Sequence, residues 1–116
     1  MRVIRKENEL DEAVSKNGIV VAKFGAAWCG PCDVLDKNII EFMCEHPGDA
    51  EFIEIDVDDA DEGFVDKYYL HGLPVSYFFK DGEKAYVVEG LMTKEQILER
   101  IDALKCVENV ETLKHE

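Results

Sequence analysis

Two spacings of apolar residues alternate along this 116-residue chain, and their alternation restricts the fold more than any single residue does. Ile19 to Phe24 is an apolar run broken only by Lys23, the pattern of a strand covered on both faces. From Pro31 to His46 the period becomes helical: Leu35, Ile39, Phe42 and Met43 share one face, while Asp33, Lys37, Glu41 and Glu45 recur on the opposite one. Glu51 to Val57 then reads as a strand, and about Ala60 to Leu70 as a helix burying Phe64, Val65 and Tyr68.

The ends of the chain extend the pattern. Met1 to Ile4 is expected as a short edge strand, followed by a helix capped by Asn8 and closed near Gly18. Val75 to Lys80 and Lys84 to Glu89 flank Asp81-Gly82, a tight-hairpin signal. Thr93 with Gln96 three residues on forms a capping box for a last helix with Ile97, Ile101 and Leu104 inward. Strands separated by helices are expected to pair in parallel through right-handed crossovers, with the hairpin adding antiparallel strands at an edge. The fold class is α/β, a three-layer sandwich around a mixed sheet with central parallel strands and an antiparallel C-terminal hairpin. One domain over 1–105 is expected, with 106–116 a polar tail.

Charge narrows the function classes. Twenty-six acidic residues against 13 basic ones give a formal net charge of −13, which repels phosphate backbones and anionic lipid surfaces. Neither a nucleic-acid nor a membrane partner is expected. The apolar runs fall far short of the ~20 residues a spanning helix needs. Met1 to Glu7 carries no apolar core region or small-residue cleavage site, so no secretory signal is expected.

The chemistry concentrates in Trp28-Cys29-Gly30-Pro31-Cys32, at a strand-to-helix junction. Two intervening residues set the sulfurs one helical turn apart, compatible with the ~5.5 Å Cα separation of a disulfide. Cys29 falls at the helix N-terminus, where free N–H groups and the macrodipole favour a thiolate; Cys32 lies a turn deeper. Pro31 is tolerated in the first turn, and Gly30 lets another backbone approach the sulfur. One exposed, activated thiolate beside one protected thiol is what disulfide exchange requires. A bare pair with this spacing also serves zinc sites, but Cys44 and Cys106 are too far apart in sequence to complete one.

Phe24-Gly25-Ala26-Ala27-Trp28-Cys29-Gly30-Pro31-Cys32 resembles the active-site stretch of the thioredoxin family. Gly72-Leu73-Pro74-Val75 is similar to that family's cis-proline loop, Lys80-Asp81-Gly82-Glu83 to its hairpin and Val88-Glu89-Gly90 to its groove glycine. The resemblance runs from about residue 3 to 105. It implies a thiol–disulfide oxidoreductase in which Cys29 attacks a client disulfide and Cys32 resolves the mixed disulfide. Trp28, Gly30, Pro31, Leu73, Pro74 and Gly90 would line the substrate groove. No cofactor or metal is implied. The implied partners are disulfide-containing client proteins and a thioredoxin reductase, the implied state a monomer, and the implied setting the reducing cytoplasm.

Lys23 departs from the family, which usually has a buried Asp there. The expectation is a swapped ion pair, with Lys23 beneath the active site and Glu54 as its partner. An ammonium there would favour thiolates and a more oxidising disulfide; a neutral amine would instead act as base. The alternative is a lysine snorkelling to the surface. Asp33 suits the helix N-terminus and makes the docking face more acidic. Lys37 replaces a helix-kinking proline found in many members, so a straighter helix is expected. Cys44 is expected as half-buried filler and Cys106 as an exposed thiol, while His46, His71 and His115 show no ligand spacing. The acidic run Asp56 to Glu62 lacks the register of a calcium loop. A binding module that recruits partners without turnover is the competing function class.

Overall fold

In the computed structural model, which describes residues 1–69 and 71–111, a five-stranded mixed sheet is covered by two helices on each face. The elements are β1 (Arg2–Val3), α1 (Glu7–Val14), β2 (Ile19–Gly25), α2 (Gly30–Glu45), β3 (Glu51–Asp56), α3 (Glu62–Tyr68), β4 (Val75–Lys80), β5 (Glu83–Glu89) and α4 (Lys94–Lys105). Strand order is β1-β3-β2-β4-β5. β3 pairs in parallel with β1 and β2, while β4 runs antiparallel to both β2 and β5.

The strands joined through α1 and α2 run parallel, with β1 and β2 both flanking β3, and the β4–β5 hairpin adds the expected antiparallel strands beyond β2. α3 is seven residues long, and the Leu73–Pro74 peptide just before β4 is cis. The expected three-layer sandwich stands.

Alternation along the strands divides the core. Val20, Ala22, Phe24, Ile53, Ile55, Val75, Tyr77 and Phe79 face Leu10 and Ala13 of α1 and Phe64 of α3. Val21, Phe52 and Phe78 face Leu35, Ile39 and Phe42 of α2 and Ile97, Ile101 and Leu104 of α4. β2 is buried along its whole length, as its apolar run requires. The β4–β5 turn places Asp81 and Gly82 at φ 49° and 90°, both in the left-handed region that a type I′ hairpin demands.

Several boundaries differ from the sequence reading. α1 begins at Glu7 with Lys6 as its cap, not at Asn8. The Glu9 carboxylate reaches back to accept from the N–H groups of Arg5 and Lys6, so the helix start needs no Asn. α3 starts at Glu62, because Asp56 to Ala60 are held in turns by Asp59 and Ala60 N–H donating to the Asp56 carbonyl. Its expected end at Leu70 lies outside the described residues. Thr93 and Gln96 form the reciprocal capping box at the start of α4. Beyond α4, Val110 is buried, and Leu113 lies outside the described residues.

Candidate functional site

β2 ends at Gly25 and α2 starts at Gly30, so the connecting turn delivers Cys29 as the N-cap of α2. Cys29 and Cys32 form a disulfide with Cα atoms 5.3 Å apart, and the Cys32 N–H donates to Cys29 Sγ at 3.3 Å. A backbone donor aimed at that sulfur is the local expression of an unfilled helix N-terminus, and it supports negative charge there.

The expected contrast between an exposed and a protected sulfur is narrower than the sequence suggested. Cys29 is 5% exposed and Cys32 1%. The pair packs against Ala26, Val57 and Leu73, and that apolar collar covers Cys29 in the oxidised form. Among the groove residues, Leu73 lies in this cluster and Pro74 follows it across the cis bond. Gly90 takes φ 94° and donates its N–H to the Pro74 carbonyl at 2.8 Å, tying the end of β5 to the loop. Gly30 and Pro31 are exposed in the first turn of α2. Trp28 is 69% exposed, with its indole N–H donating to Asp58 at 2.7 Å. Asp58 donates its own N–H to the Asp56 carboxylate, so the turn after β3 fixes the indole.

Behind the disulfide lies a polar layer. Register places Glu54, Lys23 and Ser76 side by side across β3, β2 and β4, on the sheet face that α2 covers. Lys23 is 1% exposed, so it does not snorkel to the surface. Its ammonium donates to Glu54 at 2.9 Å and to Asp36 of α2. The expected Glu54 partner is present, and Asp36 is the partner the sequence reading missed. A signal for it existed: Asp36 stands four residues after Cys32, on the same helix stripe. Gly25 is the other omission. A Cβ there would sit 3.1 Å from both Cys32 Sγ and Lys23 Nζ, closer than side chains ordinarily pack.

Of the remaining candidates, Cys44 and Cys106 are both exposed. The half-buried role expected for Cys44 fails because α2 turns it away from Leu35, Ile39 and Phe42. His71 Nδ1 lies 2.8 Å from a Glu89 oxygen beside the cis-proline loop. α2 runs without interruption through Lys37.

The thioredoxin family model matches residues 2–103 of this chain. The chain is 36% identical over 99 residues to thioredoxin of Mycoplasmoides gallisepticum, spanning 85% of this chain and 97% of that protein. It is 39% identical over 98 residues to thioredoxin of Gallus gallus, spanning 84% and 89%. A mutant thioredoxin of Halobacterium salinarum superposes with a TM-score of 0.80 at 30% identity, covering 93% of both chains. A cysteine pair bridged at the start of a helix, in a chain with these relatives, makes this protein a dithiol–disulfide oxidoreductase. Sequence, topology and the cysteine pair agree that the chain belongs to the thioredoxin family.

Proposed function

We propose that the protein reduces disulfides in client proteins, with Cys29 as the attacking nucleophile and Cys32 as the resolving thiol. The observation that carries this assignment is the Cys29 N-cap position, where the Cys32 N–H points at the Cys29 sulfur. The Cys29 thiolate first attacks the client disulfide, whose S–S bond breaks: one client sulfur leaves as a thiolate and the other is held in a mixed disulfide with Cys29. Cys32 thiolate then attacks Cys29 Sγ, the client leaves as a thiolate, and the Cys29–Cys32 bond closes with two electrons passed to the client. Trp28, Gly30, Pro31, Leu73, Pro74 and Gly90 form the surface on which the client segment lies. The Trp28–Asp58 bond fixes the indole against the turn after β3.

In this reading Lys23 sets the potential. Its ammonium and Cys32 Sγ flank the same point above Gly25, so positive charge lies on the buried side of the pair and favours the thiolates over the disulfide. The disulfide is then more oxidising than it would be with an acid at position 23. A reductase supplies the electrons, and a reducing compartment such as the cytoplasm keeps the pair cycling. Residues 1–105 form the working domain, which acts as a monomer.

Turnover of a model protein disulfide with a dithiol reductant tests the assignment. Cys29→Ser should abolish it, and Cys32→Ser should accumulate a covalent complex through Cys29. Turnover surviving Cys29→Ser would overturn the assignment. Lys23→Asp should make the Cys29–Cys32 couple more reducing in a reductant titration, and an unchanged potential would remove Lys23 from the mechanism.

A further inference from the structure

Resolution requires Cys32 to lose a proton, yet Cys32 is sealed from solvent and the polar group flanking it is a lysine already donating to two carboxylates. We propose that Asp36 receives that proton through Lys23, so that Cys32, Lys23 and Asp36 form a proton relay from the buried sulfur to the protein surface. The inference rests on the roles assigned above to Cys29 and Cys32.

Cys32 Sγ and Lys23 Nζ each lie 3.1 Å from the point where a Cβ on Gly25 would stand, so they are at most twice that distance apart. An ammonium has three donors. Two are taken by Asp36 and Glu54, which leaves one for the sulfur side. Asp36 and Glu54 side chains are 25% and 32% exposed, whereas Lys23 is buried. They reach solvent in a cleft of about 280 Å³ lined by Lys23, Gly25, Asp33, Asp36, Glu54 and Asp59.

A fully protonated ammonium has no lone pair and cannot itself accept the thiol proton. As Nζ passes a proton to Asp36 it takes one from Cys32, and the lysine ends with the charge it began with. The thiolate attacks Cys29 Sγ, the Cys29–client bond breaks, and the client sulfur departs as thiolate. Asp36 then releases its proton into the cleft. Asp36 is favoured over Glu54 because it sits one turn beyond Cys32 on α2, so the helix fixes acceptor and thiol together. Asp36 touches neither sulfur and is a positioning residue. The charged groups facing this pathway are Asp33 from α2, Glu54 and Asp56 from β3, and Asp59, which pairs with Arg5 at 2.7 Å.

Rapid mixing of the reduced protein with an aromatic disulfide separates the steps. The first equivalent of coloured thiolate reports attack by Cys29 and the second reports resolution by Cys32. With an internal acceptor, the resolution rate stays nearly flat between pH 6 and 8, since about this window separates carboxylate from thiol titration. In Asp36→Asn it should fall about tenfold per pH unit below the thiol range, while the attack phase is unchanged. Asp36→Glu, which keeps the carboxylate, should restore the flat profile. Identical resolution profiles for Asp36→Asn and the parent would overturn the relay, as would a parent rate that already falls tenfold per unit. If Asp36→Asn fails to fold, the parent profile and Asp36→Glu decide. Absence of the first phase would instead defeat the assignment of Cys29, and the relay with it.

Discussion

The two faces of one sheet differ sharply, and neighbouring residues of β2 show how. Phe24 points into the α1–α3 side, where its ring centroid lies 5.5 Å from that of Phe64, 5.4 Å from Tyr68 and 5.7 Å from Tyr77. The Tyr77 hydroxyl finds the Tyr68 carbonyl at 2.6 Å, so even that polar atom is satisfied. Lys23, one residue earlier, points into the α2–α4 side and brings a charge with it. There the packing is interrupted by an ammonium, two carboxylates and the buried Ser76 hydroxyl, which has no partner among the described residues. Both faces carry a buried apolar core, and the second alone also carries a buried charge.

Substitutions can break that division. Phe24→Ala should have the largest effect on stability, about 3–5 kcal/mol for a fully buried aromatic. It is expected to leave the Cys29–Cys32 potential where it was, read by denaturant unfolding and reductant titration on one preparation. Gly25→Ala reaches across the boundary. Its Cβ presses on Cys32 Sγ and Lys23 Nζ together, so a cost of about 1–3 kcal/mol should accompany a changed potential.

Lys23→Met is the sharper counterpart. A similar volume without charge is expected to change stability by less than about 1.5 kcal/mol, because removing a buried pair's desolvation offsets its lost attraction and the carboxylates can turn to the cleft. The potential should nonetheless become more reducing. A large loss of stability with an unchanged potential would mean that Lys23 acts in packing alone.

The smallest effect is electrostatic. Hydrogen bonds from Lys94 to Glu45 and from Lys105 to Asp49 raise both lysines above their usual range. Groups whose folded value lies above the unfolded one stabilise fully below pH 10.5 and lose that contribution as pH rises through the folded value. Both pairs are exposed, so a slight fall in thermal midpoint above that range is expected. Replacing both lysines with Met should shrink that fall, leaving the share carried by Lys67, Tyr68 and Tyr77, which are also raised.

Much of this arrangement was legible in the residues. The buried run of β2, the hairpin at Asp81-Gly82 and the capping box at Thr93 are local signals, and each stands where it was read. The order of the strands was not legible, because no local period records that β3 would lie between β1 and β2 or that the hairpin would join at β2. Lys23 with Glu54 was anticipated from the resemblance to the thioredoxin family, and the register of β2 on β3 sets the two residues side by side. Asp36 left a weaker signal, its place four residues after Cys32 on one helix stripe, which only the rotation of α2 over the sheet turns into a contact with Lys23. Cys44 failed for the same reason: half a turn decides between core and solvent.

The sulfur bridge joins residues only three apart, within a turn and helix that the rest of the fold already fixes. Cross-links gain their leverage by restricting long stretches of unfolded chain, and so small a ring restricts less than a distant one, about 2 kcal/mol against about 3 for a 15-residue loop. Opening it therefore costs the scaffold less than breaking a long-range bridge would, and the packing of the sheet and helices does not depend on it.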